Sequence, residues 1–321
     1  MLSRVAENVY WMARYLERAE DTARLVIAST HLLLDLPRYV PLSWGSMVEI
    51  LGVSMPPELG EAPDERGVMR FLITDTNHPS SLVSVVRMAR EDARVSRDIL
   101  PAEAWEAING LHLYVKDNAA QAQGRAKRLE FLREVVLRCQ QINGVIDGTV
   151  SRGELYRFLM LGQQLERADM TTRIVDVRAA RLLPGDSELL RPYIGVVWMS
   201  VLKSLSGYEM YRHQVQSRIS GPDVVRFLLK DPCFPRAVER CLRRLAEMLE
   251  DLPNGERALE CVGLARQRVR SARLEPLDLA VTHQLIDDLQ RDFCNVHAAI
   301  ADACFRYGGP LPQRQALVES A

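Results

Sequence analysis

The sequence contains the stretch LERAEDTAR at residues 16–24 and, 149 positions later, the stretch LERADMTTR at residues 165–173. Each copy lies inside a long segment whose apolar residues are spaced three or four apart, which is the pattern of an amphipathic helix. The repeat therefore predicts two long helices that each carry one Glu-Arg dipeptide.

Further matches follow in the same order along the two halves of the chain. WGS at 44–46 matches WMS at 198–200, RFLITD at 70–75 matches RFLLKD at 226–231, and Pro79 falls on Pro235. A period of about 150 residues is too long for a solenoid unit. We therefore predict two homologous halves, 1–150 and 151–307, related by a pseudo-twofold and forming one compact unit, with a mobile tail at 308–321.

The composition predicts an all-α fold, a helical bundle, because Leu, Ala, Arg and Glu dominate and β-branched runs are scarce. Ser3 is the predicted N-cap of the first helix, and residues 54–65 and 116–125 are predicted loops. The predicted helices cover residues 2–34, 44–53, 67–73, 81–98, 101–115, 128–150, 153–183, 192–218, 221 onward, 235–252, 257–272 and 276–305.

The charge, the hydropathy and the cysteine content argue against nucleic acid and membranes as partners and against disulfide bonds. The formal net charge of the 321-residue chain is −1, which gives no overall field that would attract nucleic acid or an anionic membrane. No apolar run approaches the roughly 20 residues that a membrane span needs. None of the six cysteines forms a Cys-x-x-Cys pair. Reduced thiols in the cytoplasm are the expected state.

On each repeated helix two carboxylates and an arginine share a line beside the apolar stripe, because residues three or four apart lie on one face. These residues are Glu17, Glu20 and Arg24 in the first copy and Glu166, Asp169 and Arg173 in the second. A small residue, Ala13 or Gly162, comes one turn earlier and would let another backbone approach closely. The two charged lines are therefore expected to face each other across the pseudo-twofold.

Four interpretations of these lines remain open at this point. The first is intrahelical i,i+4 pairing of Glu20 with Arg24 and of Asp169 with Arg173, worth about 0.3–0.5 kcal/mol per pair at a surface. The second is a buried polar network that fixes how the halves dock. The third is a ligand or partner site between the halves, which would add Arg18 and Arg167 to the six residues above. The fourth, a carboxylate metal site, is weak because the Glu-x-x-His motif of di-iron bundles is missing.

A second charged segment, MAREDAR at residues 88–94, places Arg90, Arg94 and Arg97 on one helix face. Three arginines on one face could bind a phosphate or carboxylate. The alternative is a solvated face on which Glu91 and Asp92 pair with the arginines. The looser counterpart in the second half consists of Arg236, Arg240, Arg243 and Arg244.

The usual catalytic signatures are absent from the sequence. It contains no Gly-x-x-x-x-Gly-Lys-Ser/Thr loop, no His-Glu-x-x-His and no Gly-x-Ser-x-Gly. The six histidines are scattered, and His283 and His297 are expected to be structural. The residues therefore predict neither a cofactor nor a metal, and they favour a protein that is not an enzyme.

Six blocks in order along nearly the whole chain resemble those of the alpha-E family. They are MLSRVAENVYWMARYLERAE at 1–20, NHPSS at 77–81, AREDAR at 89–94, WEAIN at 105–109, LGQQLERAD at 161–169 and DPCFPR at 231–236. One departure is Met170, which stands where the first copy has Asp21. The two copies therefore need not bind alike.

The resemblance implies an all-helical domain with a Glu-Arg motif but no established reaction. Members of that family are typically encoded beside, or fused to, circularly permuted ATP-grasp proteins, and transglutaminase-like proteins are common neighbours. ATP-grasp enzymes usually join a carboxylate to an amine. The resemblance thus implies an accessory or partner-binding protein of an amide (peptide) ligase. The alternatives are an enzyme that acts on a peptide or amino acid with paired carboxylates and arginines, or a purely structural scaffold; a homo-oligomer is left open.

Overall fold

Helices account for nearly all the regular structure in the computed structural model, which describes residues 2–37, 43–53, 56–60, 63–180, 191–216, 218–275 and 277–305. These ranges hold thirteen α-helices and no strand, which confirms the all-α prediction. The helices are α1 Ser3–Asp35, α2 Ser46–Ile50, α3 Glu65–Met69, α4 Leu82–Val95, α5 Ala102–Asn118, α6 Arg125–Thr149, α7 Glu154–Ala180, α8 Ile194–Ser204, α9 Tyr208–Gln214, α10 Gly221–Lys230, α11 Val238–Leu249, α12 Glu256–Ser271 and α13 Leu279–Cys304.

The two helices that carry the repeated stretch, α1 and α7, pack along each other at the centre of the bundle. Helices α4, α6 and α8 cover other sides of α1, and α11 and α13 cover α7. Because α1 is surrounded in this way, it is buried on nearly every face over its middle, from Val9 to Glu17. Polar side chains at these positions must therefore find partners inside the protein.

The hydrophobic core is shared between the two halves of the sequence. One continuous cluster of buried apolar side chains runs from Val9 on α1 and Leu132 on α6 to Leu161 on α7 and Leu242 on α11. Burial of such side chains is worth roughly 1.5–3 kcal/mol each. This core holds α1 and α7 in the register that positions the charged residues between them.

Two predicted segments differ from the structure. Residues 116–125 are not a loop, because α5 continues to Asn118 and a 3-10 turn follows at Ala119–Gln123. Ala119 and Ala122 bury their methyl groups there. The prediction of a loop treated the segment as polar and did not allow for this burial. The single helix predicted for 192–218 is broken between α8 and α9, where Ser206 has a φ of 54°. Gly207 lies in this break against the Phe234 ring, 3.0 Å from where a Cβ would be.

Smaller differences concern helix ends. Leu2, not Ser3, is the N-cap of α1, and it makes no side-chain capping bond. Asp64 caps α3 by accepting a hydrogen bond from the Gly67 amide, and α3 continues into a π-helical turn at Arg70–Thr74. The predicted tail at 308–321 and the predicted end of the 153–183 helix lie outside the described residues.

Candidate functional site

The crossing of α1 and α7 brings their backbones into contact at the two small residues. A Cβ added to Gly162 would lie 2.2 Å from the Tyr10 carbonyl oxygen and 3.2 Å from the Ala13 Cβ. Such distances leave no room for a side chain at Gly162. The prediction that Ala13 and Gly162 permit a close approach is confirmed, and it places the two Glu-Arg dipeptides, one turn further along, opposite each other.

The two Glu-Arg dipeptides exchange partners across this crossing. Arg167 donates from Nε to Glu17 Oε1 at 2.7 Å and from Nη2 to Oε2 at 2.8 Å, the fork geometry of a bidentate pair. In the opposite direction Arg18 donates from Nε to Glu166 Oε1. Each glutamate is therefore bound by the arginine of the other copy.

Around Glu17 the pair widens into a group that we call the acidic cluster. Arg236, from the segment that leads into α11, donates to Glu17 at 2.8 Å, to Glu20 at 3.0 Å and to Asp21. Its members are Glu17, Glu20, Asp21, Arg24, Arg167 and Arg236. Three carboxylates thus meet three arginines, and all three carboxylates are at most 2% exposed.

The carboxylates of the acidic cluster titrate differently. Burial would raise the pKa of Glu17, but Arg167 and Arg236 outweigh it and hold that pKa below its ordinary value. Burial, reinforced by the charges of Glu17 and Glu20, raises the pKa of Asp21 to about 8 in spite of Arg236. The Asp21 Oδ2 atom is buried without a hydrogen-bond partner, so a negative charge on it would be left without a donor. Asp21 is therefore mainly neutral at pH 7.

Around Glu166 the balance is reversed, and we call Glu166, Arg14 and Arg18 the arginine-rich cluster. Arg14 donates from Nε to Glu166 Oε2 at 2.7 Å and lies over the Trp11 ring, 4.9 Å from its centroid. Although burial opposes it, the charges of Arg18 and Arg14 lower the pKa of Glu166 to about 2. One carboxylate therefore stays ionised between two arginines.

A tyrosine and a histidine close the arginine-rich cluster on the side of α13. The Tyr10 hydroxyl and His297 Nδ1 are 2.9 Å apart, and the two rings stack. Burial, followed by the charge of Arg14, lowers the pKa of His297 to about 3, so its imidazole is neutral. Burial raises the pKa of Tyr10 to about 12. Both groups are therefore uncharged at neutral pH, and neither adds to the charge of the cluster.

The two predicted intrahelical pairs exist, but they are not surface pairs. Arg24 donates to Glu20 Oε1 at 2.9 and 2.8 Å, and Arg173 donates to Asp169 Oδ2 at 2.9 Å. Arg24 and Arg173 are each only 16% exposed at the side chain. Gly52, which has a φ of +67°, packs directly on Arg173, so a Cβ there would meet Nη1 at 1.8 Å.

The arginines of α4 do not join either cluster. Arg94 donates to Glu91 at 2.8 Å, Arg90 also donates to Glu91, and Arg90 and Arg97 lie over the Trp105 ring at 5.5 and 5.7 Å. Hydrogen bonds from Arg94 and Arg90 lower the pKa of Glu91. The pairing with Glu91 expected of a solvated face is therefore present for Arg90 and Arg94.

One group of side chains has the spacing to hold a metal ion. Asp176 on α7 and His283 and Asp287 on α13 present ligand atoms within 4.8 Å of one another. His283 Nδ1 lies 2.7 Å from Asp176, however, and Nε2 lies 3.7 Å from Asp287, so each ring nitrogen faces a different carboxylate. The hydrogen bond that His283 donates to Asp176 is the main cause of the raised pKa of His283. His283 therefore links α13 to α7 through its contact with Asp176.

Three members of the two clusters, Arg14, Asp21 and Arg236, are not among the site residues predicted from the sequence. Arg14 comes one turn before Arg18, and that spacing was the available signal. Arg236 was noted only as a loose counterpart of the α4 arginines, although its DPCFPR block had been singled out. In the described part of the chain, no helix is both long enough and apolar enough to cross a membrane.

Comparisons with known proteins agree with the helical architecture. The model of the Alpha-E family, described as a predicted alpha-helical domain with a conserved ER motif, matches residues 1–305. Uncharacterized proteins of Mycobacterium bovis and Mycobacterium tuberculosis are 23% identical over 321 residues. The match covers 93% of this chain but only 36% of each relative, so the chain spans about a third of their length. No solved structure matches the chain.

Proposed function

The chain belongs to the Alpha-E family, and on that premise we propose that it is an accessory, partner-binding protein whose Glu-Arg motif is internal. In this proposal the motif locks α1 against α7, and the outer surface of the bundle meets the partner. The observation that carries it is the burial of the motif. Glu17 and Glu166 are 1% and 0% exposed, and each is bound by two arginines.

The proposed partner is an ATP-grasp amide (peptide) ligase, with a transglutaminase-like protein as a further candidate. Two facts support this partnership. The resemblance of the motifs implies an ATP-grasp neighbour, and the mycobacterial relatives carry this domain in a chain nearly three times as long as the matched region. A cytoplasmic location fits the role, since all six cysteines are free thiols. Neither nucleic acid nor a membrane is part of the proposal, and self-association stays open.

Co-purification with the circularly permuted ATP-grasp protein of the same organism tests this function. We expect a complex of defined stoichiometry by size-exclusion chromatography with light scattering. We also expect a saturable change in the rate of ATP-dependent amide formation when the chain is added. A chain that neither binds the ligase nor changes its rate at micromolar concentration would contradict the proposal. Lys127→Glu, which reverses the charge at one exposed position, is the control variant. It shows whether a change in the ligase rate is only a general response to the charge of the added protein.

One observation favours an enzyme as the second candidate. Asp21 has a pKa of about 8, and a carboxyl group tuned towards neutrality is a common acid–base catalyst. Its side chain is 0% exposed, however, so a substrate would reach it only if α1 and α7 separated. This candidate predicts that Glu17→Gln and Glu166→Gln abolish turnover of a peptide or amino acid while the circular dichroism spectrum is unchanged. If the variants lose their fold as well as any activity, the result would favour a Glu-Arg motif that only locks α1 against α7.

The partner exchange also supports the proposed origin of the fold in two homologous halves related by a pseudo-twofold. The pairs of Arg167 with Glu17 and of Arg18 with Glu166 are what a twofold between the repeated stretches would produce. Superposition of residues 3–150 on residues 154–305 in an experimental structure would test the relation. We expect α1 to fall on α7 after a rotation near 180°, and any other rotation would contradict it.

A further inference from the structure

A groove between α1, α6 and α8 combines a cationic rim with an apolar floor. Its volume is about 350 Å³, which lies within the roughly 300–1,000 Å³ of small-molecule sites. All its lining residues belong to the described helices. They are Arg24, Ile27, Ala28, His31, Arg133, Val136, Leu137 and Lys203.

The rim of the groove carries positive charge that the described residues do not balance. Arg24 is already neutralised by Glu20, to which it donates from Nε and Nη2. Arg133 and Lys203 form no ion pair in the part of the chain described, and Lys203 Nζ lies over the Tyr208 ring, 5.6 Å from its centroid. Among the described residues, no aspartate or glutamate lines the groove. Two cations are therefore left for an anion, and His31 can add a hydrogen bond.

The floor of the groove is apolar and partly open to water. Ala28 and Val136 are buried at its base, whereas Leu137 is 59% exposed at its edge. A leucine that leaves so much apolar surface in water gains by contact with an apolar group, at about 25 cal/mol for each Å² covered. A ligand that satisfies both parts of the groove must carry a negative head and an apolar body.

From this juxtaposition we infer that the groove binds a small organic phosphate, a dianionic head on an aliphatic or aromatic body. The dianion matches the two unpaired cations, and an arginine guanidinium offers the phosphate a bidentate contact. The body covers Ile27 and Leu137. Because Arg24 belongs to both the groove and the acidic cluster, the bound head also contacts the residue that neutralises Glu20. The inference is independent of any ligase partner.

Isothermal titration of the full chain with octyl phosphate, kept below its micelle concentration, tests the inference. We expect saturable binding of one molecule per chain. Inorganic phosphate, which lacks the body, octanol, which lacks the charge, and octanoate, which carries one charge, should each bind at least about tenfold more weakly, a difference of about 1.4 kcal/mol. Octanoate binding as tightly as octyl phosphate would overturn the assignment of a dianionic head.

Variants locate the site. Arg133→Glu and Lys203→Glu should each weaken octyl phosphate binding at least about tenfold, and Leu137→Gln should weaken octyl phosphate but not inorganic phosphate. Lys127→Glu is the matched control, because it makes the same charge change on α6 outside the groove, and it should bind as the parent chain does. All four positions are exposed, so folding should survive, and far-ultraviolet circular dichroism checks it. The inference would be overturned if the parent chain did not bind octyl phosphate. It would also be overturned if the folded Arg133→Glu and Lys203→Glu proteins bound it as tightly as the parent chain does.

Discussion

The acidic cluster and the arginine-rich cluster are built on the same dipeptide, yet their charges are arranged in opposite ways. Glu17 belongs to a group of three carboxyl groups and three arginines, two of which it contacts, whereas Glu166 is a single carboxylate between two arginines. The exchanged Glu-Arg pairs are common to both. The difference shows that the pairs fix the crossing of the helices, while the neighbours of each pair set its charge and its response to pH.

The difference between the clusters comes from three positions at which the repeat fails. Asp21 corresponds to Met170, and Arg14 corresponds to Gln163, so an acid is found only in the first copy and an extra arginine only beside the second glutamate. Arg236 corresponds to Ser80, so the residue that joins the three carboxylates has no counterpart. A substitution at Asp21, Arg14 or Arg236 therefore changes one cluster and leaves the other intact.

The largest expected effect is that of Arg236→Met. It leaves three buried carboxyl groups without the guanidinium that joins them, and breaking a buried ion pair costs about 3–5 kcal/mol. Arg14→Met is the matched change on the other side, where Glu166 keeps Arg18, and it should cost about 1.5–3 kcal/mol. Urea unfolding followed by circular dichroism measures both. Equal losses would mean that the two clusters are energetically alike.

The helix crossing that both clusters share should respond next. Gly162→Ala places a methyl group 2.2 Å from the Tyr10 carbonyl oxygen, and overpacking of this kind costs about 1–3 kcal/mol. The reverse change in the partner helix, Ala13→Gly, only loosens the contact and should cost about 0.5–1 kcal/mol. Thermal melts of the two variants show which substitution lowers the stability more. A more stable Gly162→Ala protein would mean that the helices separate readily.

The two clusters should respond to acid in opposite directions. The folded pKa of Asp21, about 8, lies above that of a free aspartate, so only the unfolded chain loses this proton and stability falls as the pH rises from about 4 to 8. The folded pKa of His297, about 3, lies below that of a free histidine, so stability is lost as the pH falls from about 6.5 to 3. Between pH 5 and 6 the two effects offset each other.

Single substitutions should expose each effect in turn. In Asp21→Asn the His297 effect remains, so the free energy of unfolding should rise between pH 5 and 6. In His297→Gln the Asp21 effect remains, so the free energy of unfolding should fall between pH 5 and 6. Each change is at most about 1.4 kcal/mol per pH unit. Urea titrations at the two pH values measure the slopes, and identical slopes in both variants would contradict the assigned protonation states.

The smallest effect is expected outside both clusters. Arg94→Ala removes an exposed partner of Glu91, which is itself 43% exposed, and such surface pairs contribute about 0–1 kcal/mol. We expect a change within about 0.5 kcal/mol in urea unfolding. A loss as large as that of Arg14→Met would show that the α4 arginines are part of the internal network.

What the sequence predicted correctly depends on local spacing. The pairs of Glu20 with Arg24 and of Asp169 with Arg173 follow from four-residue separation on one helix, and Gly162 signals a close contact because it has no side chain. The exchange of Arg18 and Arg167 depends on the angle and register at which α1 crosses α7, which the surrounding core sets. No spacing rule predicts that. The loop predicted at 116–125 failed for a related reason, since burial of alanines is a tertiary effect.

The partner exchange also constrains how the protein is made. Helix α1 is synthesised before the residues that bind its carboxylates, because Arg167 follows Glu17 by 150 residues and Arg236 follows it by 219. Until both have been synthesised, Glu17 and Asp21 lack the arginines that they contact in the folded protein, and their carboxyl groups must stay in water. Contacts so distant in sequence slow folding and extend the time during which apolar surface is exposed. The contacts that hold α1 at the centre of the bundle are therefore complete only after Arg236 has been synthesised.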